Sequence, residues 1–436
     1  MKYITEINGG MMIRHHKLML ILVVLLSMFA CSKNKAEQAP EAQPSSEEIS
    51  VNMAKHLDFP FNLWKNLNVE GQNLFISPTS INLAMGMAYT GARGNTATEI
   101  AKVMGYTESP KEEHTKFHQS LQVLEEIKSR KNAEFNIANA LFNAEGNKDL
   151  LVPEYSEVLH KSFYSELFSL DFSQAQKTAD FINLWVEKQT NNRIKNIVSE
   201  RQIADSNDGL ILVNSIYFKS DWLQQFPAEN TIQERFYTSS QKDPDHHIIL
   251  PMMKQQGSFP YAQTNDCKIV ELPYVEREIS MIFVIPNDME KISAELDYEL
   301  AQSWIEQLGR PERVMVFIPR FRIEDTYDKL VGNFHKLGIN DAFNAVSADF
   351  SGILNQNSGQ RLFISDIVHK TFLEVTETGT EAAAATQIGF AKTSLESPQP
   401  DLHVFRADQP FFCMILHRPT NEILFLGKIV KPQKTE

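Results

Sequence analysis

The sequence predicts an α+β protein with helices in its first half and large antiparallel or mixed sheets in its second. Three observations carry this. Apolar side chains recur at helical spacing up to about residue 200, and short, nearly continuous apolar runs dominate afterwards. The third is a segment that fits neither pattern, Glu377 to Thr386, which reads Glu-Thr-Gly-Thr-Glu-Ala-Ala-Ala-Ala-Thr.

The elements follow in order. Val51 to Leu67 is periodic, with Leu57, Phe61 and Trp64 on one face. Ser80 to Tyr89 forms a second helix after Pro78, with Ser77 and Ser80 as capping candidates and an Ala/Met/Leu face. Gly91-Ala92-Arg93-Gly94-Asn95-Thr96 reads as the turn that ends it. Thr178 to Ile197 predicts another helix, packed through Phe181, Trp185 and Val186. Strand signals then lie at Leu210 to Phe218, Lys268 to Leu272, Ser280 to Ile285, Arg313 to Ile318, Phe363 to Val375, Phe411 to His417 and Ile423 to Val430. Several are apolar at nearly every position, so both faces of those strands should be covered. Helices first, strands later and hairpin spacing near the end place the chain in the α+β class.

The 436 residues are 42% hydrophobic and 22% charged, enough ordinary globular chain for a large core. A net charge of −13 leaves no basic surplus for phosphates, which excludes nucleic acid as a partner. The basic cluster Arg14-His15-His16-Lys17 precedes an apolar stretch, Leu18 to Phe29, that is short for a span and suits a signal peptide. Met28-Phe29-Ala30-Cys31 resembles a bacterial lipobox, with Met where Leu is usual. Residues 1–31 therefore read as a lipoprotein signal with Cys31 lipidated, and Met11 or Met12 is an alternative start. This predicts export across the inner membrane and lipid anchoring, in the outer membrane, on its periplasmic face or the cell surface. A single acyl chain anchors only marginally, so several are required. Residues 32–48, rich in Lys, Glu, Gln, Ala, Pro and Ser, form a flexible tether, and residues 49–436 form one domain without internal repeats. Apart from Cys31 only Cys267 and Cys413 remain, both in apolar runs, where buried free thiols are expected.

The alanine run is the most informative segment. Alanine favours helix, but no apolar stripe is present to dock one, and Gly379 and the threonines interrupt it. As a strand it would place Thr380, Ala382, Ala384 and Thr386 on one face and its only internal charge, Glu381, on the other. A segment able to become a buried strand without burying a charge reads as a moving part.

No enzyme motif is present: no Gly-x-Ser-x-Gly elbow, no phosphate-cradling glycine loop and no His-Glu-x-x-His helix. His246-His247 are adjacent residues near a Pro-containing turn and point apart, so no metal site is expected there. Ser365, Asp366 and His369 have triad residue types, but a triad is a matter of geometry. A buried Ser–His hydrogen bond in the core is the expected reading. Nothing calls for a cofactor.

Ordered motifs along residues 49–436 resemble one family, the serpins. They include Asn73-Leu-Phe-Ile-Ser77-Pro78-Thr-Ser80-Ile81, then Thr90-Gly91-Ala92-Arg93-Gly94-Asn95-Thr96. Val213-Asn214-Ser-Ile-Tyr217-Phe218-Lys219-Ser-Asp-Trp222 matches a central strand ending at a tryptophan. Pro251-Met252-Met253, Pro319-Arg-Phe321, Leu337-Gly338-Ile339 and Val368-His369-Lys370 follow, and Phe405-Arg-Ala-Asp408-Gln-Pro410-Phe411 and Ile423-Leu-Phe-Leu-Gly427 close the series.

The resemblance implies the serpin fold: a helical N-terminal part packed on three β-sheets, with an exposed reactive centre loop over about residues 377–404. It also implies a protease inhibitor and not an enzyme. A target protease cuts the loop and becomes an acyl-enzyme, and the freed strand enters the main sheet and distorts the protease before deacylation; loop insertion in serpins is a known case of this switch. The hinge would comprise Glu377, Gly379, Thr380, Glu381, Ala382, Ala383, Ala384, Ala385 and Thr386, with Thr378 where a charge is common. These small residues fit an inhibitory serpin; a non-inhibitory carrier or chaperone is the alternative. Family spacing places the reactive bond at Lys392, Thr393 and Ser394, with Phe390 as another cleavage position and Pro398 and Pro400 beyond in a long loop. Lys392 suits trypsin-like, Thr393 elastase-like or subtilisin-like, and Phe390 chymotrypsin-like serine proteases or papain-like cysteine proteases. Ser77, Ser80, Asn214 and His369 match the shutter beneath the sheet, and Trp222 the breach where the loop enters. No basic helix for a heparin-type activator is present, and a monomer is expected.

Overall fold

The computed structural model describes residues 58–128, 133–206, 209–355, 360–380 and 401–434. Three sheets organise them. The central sheet has the order β11-β12-β13-β4-β2-β3, from β11 (Phe321–Tyr327), β12 (Ile364–Val375), β13 (Gly379–Thr380), β4 (Leu210–Asp221), β2 (Ala133–Ala144) and β3 (Glu166–Leu170). A second sheet, β14-β10-β6-β5, comprises β14 (His403–Arg406), β10 (Glu312–Pro319), β6 (His247–Phe259) and β5 (Ile232–Tyr237). The third, β1-β16-β15-β9-β8-β7, comprises β1 (Leu74–Ile76), β16 (Glu422–Ile429), β15 (Phe411–His417), β9 (Ile279–Pro286), β8 (Cys267–Pro273) and β7 (Tyr261–Gln263).

The continuous apolar runs are covered on both faces, as their composition requires. In β4, Leu212, Ile216 and Phe218 enter the main core between the sheets. Ile211, Val213 and Tyr217, on the other face, join a second core with Ile182 and Val186 of the helix Ala175–Gln189. Beneath the central sheet runs the helix Pro78–Gly91, buried at nearly every position, with Ser77 as its N-cap accepting from the Ser80 amide. The helix 58–67 buries Phe61 and Trp64; Leu57 lies outside the described residues. Cys267 and Cys413 are buried free thiols, and burial pushes both up.

Four expectations are corrected. The helix beginning at Thr178 in the sequence reading ends at Gln189, not Ile197. Asn191, Asn192 and Asn196 adopt left-handed backbone, which breaks the helix. Ile194 and Ile197 nevertheless stay buried as an irregular strap in the core that also holds Tyr217 and Phe372, which preserves the apolar spacing without the helix. Phe181, expected to pack inward, is 42% exposed and only edges against Phe168. The glycine-rich segment is no extended turn: one helix runs through Gly91 and the next begins at Gly94. The first half is also less helical than expected, since it supplies β2 and β3.

Candidate functional site

At the mouth of the central sheet, β4 and β12 diverge and a two-residue strand sits between them. β4 and β12 pair in parallel from Leu210 and Ile364 up to Tyr217 and Phe372. Beyond that point Thr380 pairs antiparallel with Ser220 on one side and Val375 on the other, and Gly379 pairs with Asp221. Thr380 was expected on the inward face of a strand that could enter the sheet; in the uncleaved chain it is already there, fully buried. Gly379 is required for close approach, because a Cβ would collide with the Ser220 carbonyl oxygen.

Side chains hold this wedge. The Tyr274 and Thr380 hydroxyls share a hydrogen bond of 2.6 Å. Trp222 stacks on Tyr274 at 4.5 Å, donates its indole N–H to the Thr376 carbonyl at 3.0 Å and its backbone N–H to Thr378 at 2.9 Å. Glu377 pairs with Arg320 and accepts from the Thr231 hydroxyl at 2.8 Å. Burial raises the Glu377 carboxyl, but its bonds to Arg320 and Thr231 outweigh this and leave it below the usual carboxylate range. Glu377→Lys would set two cations side by side and break the Thr231 bond, lowering stability by about 2 kcal/mol. Loss of melting temperature on Glu377→Lys, with recovery in the charge-swapped pair Glu377→Lys/Arg320→Glu, is the expected double-mutant result. Equal melting of Glu377→Lys and the parent would refute it.

Deeper in the sheet, Asn139 of β2, Asn214 of β4 and His369 of β12 lie directly opposite one another as one polar row. The His369 Nε2 accepts from the Ser77 amide at 3.1 Å, so its Nδ1 carries the proton and donates to the Asn214 side-chain oxygen. The Asn214 amide donates to Asn139, to the Ser80 carbonyl at 2.7 Å and to the Ser80 hydroxyl at 2.5 Å. Ser77 Oγ donates to the Leu424 carbonyl at 2.7 Å. Burial pushes His369 down to about 3. Parting β4 and β12 by one strand width, ~4.8 Å, would break the His369–Asn214 bond.

Ser365, Asp366 and His369 do not converge. Ser365 Oγ donates to the Leu210 carbonyl, Asp366 accepts from Gln202, and His369 faces the core. A buried Ser–His hydrogen bond is present in the core, made by the backbone amide of Ser77 to His369. His246 and His247 turn to Asp243 and the Pro244 carbonyl respectively, and among the described residues no cluster of three or more His, Cys, Asp or Glu is placed to hold a metal. Arg320, Tyr274, Thr231 and Asn139 were not singled out in the sequence. Arg320 falls inside a recognised motif, but the others are brought to the site only by the tertiary fold. Cys31, Glu381, Ala382, Ala383, Ala384, Ala385, Thr386, Phe390, Lys392, Thr393 and Ser394 lie outside the described residues.

A family model described as Serpin (serine protease inhibitor) matches residues 54–432. The human leukocyte elastase inhibitor is 37% identical over 379 residues, covering 83% of this chain and 93% of its own. An uncharacterized serpin-like protein of Thermococcus kodakarensis is 36% identical over 381 residues, covering 86% of this chain and 84% of its own. Human thyroxine-binding globulin, solved in complex with thyroxine, superposes with a TM-score of 0.76 at 28% identity, over 88% of this chain and 99% of its own.

Proposed function

The chain belongs to the serpin family, a family of protease inhibitors and not of catalysts, and from that premise we propose that it is a suicide-substrate inhibitor of serine endopeptidases, extending to cysteine endopeptidases. The observation that carries this is the wedge itself. Gly379 and Thr380 already pair with β4, and Thr380 also with β12, so the following residues have a template on either side once the loop is cut.

The target's own nucleophile attacks a carbonyl in the Lys392-Thr393-Ser394 segment and forms an acyl-enzyme. The freed segment then adds to the sheet in the register that Thr380 has begun. Continued along β4, that register brings Thr386 opposite Asn214, where its hydroxyl meets the opened polar row. About ten new backbone hydrogen bonds at ~0.5–1.5 kcal/mol each rival the ~5–15 kcal/mol stability of a domain, which suffices to deform the attached enzyme. In this reading Ser77, Ser80, Asn214 and His369 control strand separation, Trp222 guards the mouth, and Glu377 to Thr386 is the hinge.

A carrier role is the second reading, since thyroxine-binding globulin shares the fold. The small, uncharged inward face of Thr380 to Thr386 favours inhibition, because a carrier does not need rapid insertion. Cleavage at more than one bond, at Phe390 and at Lys392 to Ser394, would give broad specificity. Lipid attachment at Cys31 would hold the inhibitor at the outer membrane. Incubation with trypsin-like, elastase-like and subtilisin-like proteases should give an SDS-stable adduct and a cleaved form that melts far higher. Cleavage without adduct by every protease would overturn inhibition. Sequencing the released C-terminal peptides should show different new N-termini for different proteases, and one shared site would refute the multiple-bond reading.

A further inference from the structure

We propose that the solvent-facing side of the β14-β10-β6 sheet is a second contact surface for the target protease, fitted to an enzyme with an acidic rim around its cleft. This rests on the inhibitory reading above. β14 directly continues the loop, so His403 is the first strand residue after the cleavage segment. From Ser394 to His403 the chain reaches at most about 30 Å, whereas a protease domain is about 45 Å across. An enzyme engaged at Lys392 to Ser394 therefore lies against the structure around β14.

That face has a defined chemistry. Met315 stands between Val404 and Gln256, and Phe317 between Arg406 and Lys254, so these residues share one side of the sheet. The Phe317 ring is sandwiched by Arg406 at 4.3 Å and Lys254 at 5.5 Å. Val404 is 45% exposed beside them. Arg406 is held by Glu234 and Asp408. Lys254 and Lys268 differ: Lys268, on β8 of the neighbouring sheet, reaches only the Val404 carbonyl of β14 at 3.5 Å, and no carboxylate among the described residues is placed against either ammonium. A local cationic and aromatic surface on a chain of net charge −13 is exceptional. Arginine, methionine and aromatic side chains are enriched at interfaces, and complementary charge speeds encounter more than it tightens the complex.

The test compares association rates with anionic and cationic trypsin, which share cleavage preference, at low ionic strength. The parent should react roughly tenfold faster with the anionic form. Lys254→Glu/Lys268→Glu should abolish that preference, Lys254→Gln/Lys268→Gln should reduce it, and high salt should erase it in all three. Adduct yield per inhibitor should stay constant, since neither lysine touches the hinge. Equal parental rates toward the two trypsins, or a preference unchanged in both double variants, would overturn the proposal. Absence of adduct with either trypsin would instead count against the inhibitory reading.

Discussion

Thr380→Arg is expected to leave loop cleavage intact while lowering the yield of covalent adduct by roughly a hundredfold or more. The position is fully buried, with its hydroxyl on Tyr274 and its neighbours Ser220 and Val375 on either side. A guanidinium there would have to shed its water among Tyr274, Phe218 and Leu373, all of them buried. Burying an unpaired charge costs several kcal/mol, and each 1.4 kcal/mol is about tenfold in rate. Deacylation then outruns insertion, and the inhibitor becomes a substrate. Thr380→Val is the matched control: it keeps the β-branched shape and loses about 1 kcal/mol of hydrogen bonding, so most adduct should survive. Because the wedge is docked before cleavage, Thr380→Arg should also loosen the resting hinge. Trp222, bonded to the Thr376 carbonyl, reports this as a shift in indole fluorescence. Unchanged adduct yield with Thr380→Arg would sink the insertion mechanism outright.

That wedge marks where sequence reasoning stops. The alanine run, the lack of an inward charge and the glycine ahead of it were all legible, because they are local properties of composition and alternation. Docking of Thr380 was not, because it depends on Tyr274 and Ser220, over a hundred positions away in the chain. The same division runs through the fold. β4, β9, β12 and β15 announce themselves as apolar runs, since both of their faces are covered. β3, β5 and β11 do not: each lies at a sheet edge, and their exposed positions dilute the signal. Gly379 was expected in the hinge, yet what excludes a side chain there is the Ser220 carbonyl. The strap after Gln189 shows the opposite failure, where helical periodicity persists but three left-handed asparagines redirect the chain.

Acid should unlock the sheet through His369. Its pKa of about 3 in the folded chain lies below the ordinary 6.5, because burial disfavours the imidazolium. A base whose folded pKa is depressed binds its proton preferentially when unfolded, so its contribution to stability is complete above about pH 6.5 and falls as pH drops toward 3. At pH 5 the loss is about 2 kcal/mol, and a melting temperature lower by roughly 3 °C is expected for a domain of this size. Glu377 acts in the same direction below the carboxylate range, while the raised carboxyls of Asp325, Asp366 and Glu422 act in the opposite one. His369→Gln separates these contributions: the glutamine retains a donor and an acceptor for Asn214 and the Ser77 amide but does not titrate. The parent's decline between pH 6.5 and 4.5 should therefore flatten in this variant. Protonation also has a local consequence, because an imidazolium Nε2–H faces the Ser77 N–H and the bond tying β12 to the helix cap is lost. A synthetic peptide copying residues 380–390 should accordingly enter the sheet faster at pH 5 than at pH 7 in the parent, and at similar rates in His369→Gln. If the parent takes up the peptide equally fast at both pH values, His369 is a packed core histidine and not the lock on strand separation.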